Sequence, residues 1–143
     1  MRYVPELRIT LPAHRDSLCL LRHVVRGFRD AYAIAPATMD DIVLAVSEAA
    51  TNVVVHAYGP RSGTMTIAAR SEGRLLHVLV RDHGCGIAPP AETPRLGHGL
   101  ALMHHVAESV EFVGTPAGTD VLMTFLLTAE HEPTPLSDFD IAP

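Results

Sequence analysis

Glu48, Asn52 and His56 stand four residues apart. In a helix, positions i, i+4 and i+8 line up along one side, so a carboxylate, an amide and an imidazole would share a face. The opposite side of the same stretch, Asp40 to Gly59, carries Ile42, Val43, Val46, Ala49, Ala50, Val53 and Val54. At about 100° per residue these form the wide apolar stripe of a core-facing helix. Leu44, Ala45 and Val55 flank the polar line where a solvated face would carry long, mixed charges, so the polar side too is expected to be partly covered. A covered carboxylate and amide need partners, and a bound ion with its ligand would supply them. In the plainer reading Glu48 pairs with an arginine, Asn52 bonds to backbone, and His56 closes the helix end near Tyr58.

Two glycine clusters follow. Asp82-His83-Gly84-Cys85-Gly86 comes directly after an apolar strand. Glycines at 84 and 86 let the backbone turn sharply and approach a ligand, and Asp82 can accept from a ring amine or hold a water. Gly97-His98-Gly99 precedes a helix, whose free N–H groups and positive dipole end suit an anion. Taken singly, the first cluster is equally a plain turn and the second a plain helix start. His104 and His105 lack metal-ligand spacing with each other or with His98.

The elements that position these residues follow from periodicity and punctuation. A first strand spans Tyr3 to Thr10, with Leu11-Pro12 turning the chain. A helix runs from Ala13 to about Ala33, with Leu18, Leu21, Val25 and Phe28 at helical spacing. Arg15, Arg22, Arg26 and Arg29 lie off that stripe, as a solvated face or a docking surface for a protein. Thr38 is the expected N-cap of the second helix, and Gly59-Pro60 stops it. Strands at Gly63–Arg70 and Arg74–Arg81 flank the turn Ser71-Glu72-Gly73. The Gly/Pro-rich loop Asp82–Gly99 leads to a helix at Leu100–Ser109 and to strands at Val110–Val113 and Thr119–Leu127, joined by Gly114–Gly118. Residues 1–128 read as one domain and 129–143 as a disordered polar tail. Strands in pairs with helices between them predict an α/β two-layer sandwich: a mixed, largely antiparallel sheet with helices on one face.

Composition narrows the chemistry. All eleven basic residues are arginine. This excludes a Walker A loop, the lysine of eukaryotic-type protein kinases and Schiff-base catalysis. Any phosphate site must use a metal ion, backbone N–H groups and arginine. A formal charge of −5 gives no electrostatic case for nucleic acid or an anionic membrane. Met1 to Leu11 lacks a signal-peptide core, no apolar run is long enough to span a bilayer, and Cys19 and Cys85 read as free thiols. Together these point to the cytoplasm.

The order of the features is more specific than any one of them. A Glu-x-x-x-Asn helix, an Asp-x-Gly-x-Gly after a strand, a Gly-x-Gly opening a helix and a Gly-Thr starting a last strand resemble the ATP-binding fold shared by gyrase B, Hsp90, histidine kinases and MutL. Within it, Ser47-Glu48-Ala49-Ala50-Thr51-Asn52 through His56-Ala57-Tyr58 looks closest to the bacterial anti-sigma factor serine kinases of the RsbW and SpoIIAB type, over about residues 3 to 128. That resemblance implies ATP and Mg²⁺ as cofactors. Asn52 would hold Mg²⁺ against the phosphates and Glu48 would be the general base. Asp82 would bind the adenine amine, with Gly84 and Gly86 shaping its pocket and Thr119 assisting through its hydroxyl. Gly97, His98 and Gly99 would meet the phosphates. It also implies a STAS-type anti-anti-sigma protein and a sigma factor as partners, and a homodimer. The alternative is a non-catalytic ATP-binding switch or an interaction module on the same fold. The short proline-containing lid with Arg95 as its one cation, and His98 between the glycines, depart from the family pattern.

Overall fold

Alternating apolar and polar side chains fold back on each other as β2 (Thr64–Glu72) and β3 (Leu75–Asp82). Gly73-Arg74 turns between them, and Gly73 takes φ +60°, which a glycine adopts without Cβ strain. β1 (Glu6–Pro12) pairs with β2, β5 (Gly118–Leu126) with β3, and β4 (Ser109–Thr115) with β5. The sheet order is β1-β2-β3-β5-β4. All four pairings among the described residues are antiparallel, so the largely antiparallel sheet expected from the sequence carries no parallel pair there. The structure is a computed structural model that describes residues 6–84 and 97–127. Tyr3 to Pro5, the stretch holding Cys85, Gly86 and Arg95, and the expected tail lie outside the described residues.

Among the described residues three helices complete the two layers: α1 (Ser17–Tyr32), α2 (Pro36–Asn52) and α3 (Gly97–Val106). One sheet face is buried through Met65, Ile67, Ala69, Leu76, Val78, Val80, Val121, Met123 and Phe125, in a single core with Leu21, Val25 and Phe28 of α1, Ile42, Val46 and Ala49 of α2, and Met103 of α3. α2 is the central helix, touching both α1 and α3. The Tyr32 hydroxyl donates to Ala69 O at 3.0 Å and ties the end of α1 to β2. Burial raises that phenol above its ordinary pKa of 10.0.

Several boundaries differ from the sequence expectation, each for a local reason. β1 continues through Pro12, which its edge position allows because proline lacks only a donor. The chain turns after it, with Ser17 N–H on His14 O at 2.9 Å, so α1 starts at Ser17 rather than Ala13. α2 starts at Pro36 behind an extended Ala35, not at a Thr38 cap. Proline's fixed φ suits the first helical position, where its missing N–H is not needed. After Asn52 the helix widens into a π turn, Val53–Ala57. Three successive valines there crowd the preceding turn. Gly59, at φ +56°, marks the expected stop. α3 starts at Gly97, so Gly97-His98-Gly99 form its first turn instead of preceding it.

Consecutive residues of a strand face opposite sides. At the end of β3, Asp82 points to the helices, and Arg81 points to the other face, opposite Asp120 of β5. Arg81 Nε and Nη2 donate to Asp120 Oδ1 and Oδ2 at 2.7 and 2.9 Å, a bidentate pair across the two strands. These bonds hold the Asp120 carboxyl below its ordinary 3.8, against a smaller opposing effect of burial. Because the folded-state pKa is depressed, the pair's stabilisation is present above 3.8 and is lost as pH falls through the lowered value. Asp120→Asn should therefore destabilise the fold by about 0.5–1 kcal/mol near neutral pH. In chemical denaturation the gap from wild type should close as the pH drops below 3.8; a pH-independent gap would show that the ion pair is not its source.

Candidate functional site

The polar line of α2 lies where the helix is least covered. Glu48 and Asn52 are one turn apart within the regular α segment, and both are half-buried. Among the described residues neither side chain has a hydrogen bond or an ion pair. The arginine partner and the backbone bond of the plainer reading are not formed there. Of the residues that flank the line, Leu44 and Val55 are 41% and 59% exposed while Ala45 is fully buried, so the cover is partial, as expected. Thr51 turns away from this chemistry, donating through Oγ1 to Ser47 O at 2.7 Å within its own helix. His56 falls in the π turn and is half-buried.

Asp82 occupies the other half of the site. It is 2% exposed and stands opposite Thr119, which is equally buried. Its Oδ1 accepts from the N–H groups of Gly84 at 2.9 Å and Thr119 at 3.3 Å. Its Oδ2 has no partner among the described residues. A buried carboxylate oxygen with spare acceptor capacity fits an N–H donor such as a ring amine. Two glycines make room for this arrangement. A Cβ on Gly84 would lie 2.0 Å from Ala57 O at the end of the π turn. A Cβ on Gly118, at φ +143°, would lie 2.0 Å from Asp82 O. The first contact brings the β3 exit loop directly against the end of the helix that carries Glu48 and Asn52.

Gly97, His98 and Gly99 form the first turn of α3, a helix that packs against α2. Gly86 lies outside the described residues. Among the described residues no cluster of three His, Cys, Asp or Glu side chains could cage a metal ion. A hard cation at Asn52 would complete its oxygen shell from a phosphate-bearing ligand and water, as Mg²⁺ commonly does. On the opposite sheet face, Arg81, His83, Val113, Thr115 and Asp120 line a shallow recess of about 200 Å³, and its strongest charges already satisfy each other.

Two roles go beyond what the sequence shows. Gly118, read from the sequence only as the glycine of the Gly-Thr that starts the last strand, is required by its φ and by its contact with Asp82. Tyr58 accepts from the His83 N–H at 2.9 Å and donates to Thr64 O, joining segments distant in sequence.

Comparison with known proteins agrees with this fold. A family model described as a histidine kinase-like ATPase domain matches residues 11–125, from the end of β1 almost to the end of β5. Serine-protein kinase RsbW of Bacillus mycoides (strain KBAB4) is 25% identical over 157 residues, covering 97% of this chain and 98% of that protein. The protein of the same name from Bacillus anthracis (strain A0248) is 25% identical over 158 residues, covering 98% of each. The RsbU and RsbW domains of Rv1364c from Mycobacterium tuberculosis superpose with a TM-score of 0.71 at 26% identity, over 86% of this chain and 32% of that one. The histidine kinase domain of the blue-light activated kinase EL346 from Erythrobacter litoralis gives 0.59 at 25% identity, over 78% and 60%. With the family model spanning most of its length, the chain belongs to the histidine kinase-like ATPase domain family.

Proposed function

We propose that this chain is an ATP-dependent serine/threonine protein kinase that phosphorylates a small STAS-type anti-anti-sigma partner and otherwise sequesters a sigma factor. The observation that carries the reading is the pair Glu48 and Asn52, one turn apart, half-buried and unpartnered among the described residues. The near full-length similarity to proteins named serine-protein kinase RsbW supports it.

Mg²⁺-ATP, when bound, would supply the phosphoryl group and the charge that offsets its oxygens. The chain's own residues have four tasks. Asp82 Oδ2 would accept from the adenine amine, with the Thr119 hydroxyl beside it. The Asn52 side-chain oxygen would hold the ion. The N–H groups around Gly97, His98 and Gly99 would meet the phosphates at the start of α3. Glu48 would take the proton from the partner's hydroxyl as the nucleophile forms. Phosphoryl transfer asks mainly for positioning and charge neutralisation, so a carboxylate one turn from the metal ligand is well placed. The absence of lysine favours a second reading, a nucleotide-binding switch that holds its partner without phosphorylating it.

Calorimetric titration with ADP and ATP tests both readings. Binding strengthened by Mg²⁺ is expected, and no binding under any condition would remove both. Glu48→Ala should lower phosphoryl transfer to a STAS-domain partner by about 100-fold or more, with ATP affinity nearly unchanged. Transfer at the wild-type rate would reject Glu48 as the base. If wild type binds Mg²⁺-ATP but transfers nothing to such partners, the switch is the better description. Asn52→Ala should bind nucleotide with little response to Mg²⁺, and a full response would place the ion elsewhere.

A further inference from the structure

We infer that Tyr58 is a positioning residue for nucleobase recognition: its phenol fixes the peptide that follows Asp82 and thereby aims the Asp82 carboxylate. This rests on the nucleotide reading above and assigns a part of that site to a residue that need not touch the ligand.

The tyrosine is the first residue beyond the π turn that ends α2. Its ring is held over Gly63, where a Cβ would come within 2.2 Å of the ring carbons, so a glycine is needed beneath it. Its hydroxyl makes two bonds, donating to Thr64 O at the start of β2 and accepting from His83 N–H at 2.9 Å. The next N–H along, that of Gly84, goes to Asp82 Oδ1 at 2.9 Å. Two successive N–H groups of the loop are thus held, one by Tyr58 and one by Asp82 itself. Gly84 in turn presses on Ala57 O, immediately before Tyr58. The end of α2, the start of β2 and the exit of β3 meet at this one side chain.

Removing the hydroxyl would free the His83 N–H to turn toward water, since His83 is exposed. The peptide between Asp82 and His83 could then rotate and carry the Gly84 N–H off Oδ1, leaving the carboxylate held by the Thr119 N–H at the longer 3.3 Å, so the direction of Oδ2 would be set less tightly. The ring and its packing on Gly63 would survive in phenylalanine. Base identity reports on that direction. Adenine presents an amine to a carboxylate, whereas hypoxanthine presents a carbonyl at the same position, an acceptor facing an acceptor.

The test is calorimetric titration of wild type, Tyr58→Phe, Asp82→Asn and the double variant with ADP and with IDP, alongside thermal unfolding of each. Wild type should prefer ADP. Tyr58→Phe should reduce that preference roughly fivefold, the scale of one hydrogen bond. In the Asp82→Asn background the second substitution should cost no further ADP affinity, because coupled residues are not additive. Equal loss for both nucleotides, or additive losses, would mean that Tyr58 only stabilises the fold and would overturn the inference. A wild type that binds ADP and IDP equally would overturn it as well, while leaving nucleotide binding intact. A wild type that binds neither would overturn the nucleotide reading, and this inference with it.

Discussion

A helix that lies on a sheet and has another helix along each flank keeps only one line of its surface open. α2 is in that position, between α1 and α3. Ala45, Ala49 and Ala50 are fully buried along it, small enough to bring the neighbouring backbones close. What remains is the line of Leu44, Glu48, Asn52 and Val55. Polar groups on this helix can stand there or be buried at a cost of a few kcal/mol each unless hydrogen-bonded. The two-layer architecture therefore selects where chemistry can be placed, and the carboxylate and amide occupy that strip.

The strand side follows a different logic. Asp82 is buried, and its burial is tolerable because two backbone N–H groups converge on one of its oxygens. That convergence needs a chain that doubles back at Gly84 and a neighbouring strand that begins with Gly118. The open surface of α2 and the enclosed carboxylate of β3 are then joined through the Gly84–Ala57 contact. A half-buried pair that can meet a large, hydrated ligand and a dry group that can test one atom of it are thereby linked through one backbone contact.

Much of this was legible in the sequence. The apolar stripe of α2 needs only periodicity, and its members are buried, with Val54 partly so. The β2–β3 hairpin needs only alternation and a glycine. The failures have physical causes. A π turn hides because Val53 and Ala57, four apart and both buried, fit an α-helical spacing as well. Thr38 is a good capping residue, but a proline two positions earlier fits the first turn and starts the helix sooner. Gly97 and Gly99 have low helix propensity, yet the helix includes them, since single-residue propensity is only a weak guide to a helix start. Tyr58 with His83 and Arg81 with Asp120 are pairings across 25 and 39 residues, which local pattern cannot show.

The alternation at the end of β3 has one more consequence. Arg81 and Asp82 are adjacent, and each faces a matching residue on β5 from opposite sides of the sheet. If β5 slid by a single residue, its side chains would exchange faces. Asp120 would enter the apolar layer without its guanidinium, and Thr119 would leave Asp82 for solvent. Each error would leave a buried carboxylate short of a partner, and an unpaired buried charge is among the most destabilising of defects. The ion pair on the outer face thus acts as a proofreading device for strand alignment: its contribution to stability is small, but its penalty against the misaligned sheet is large.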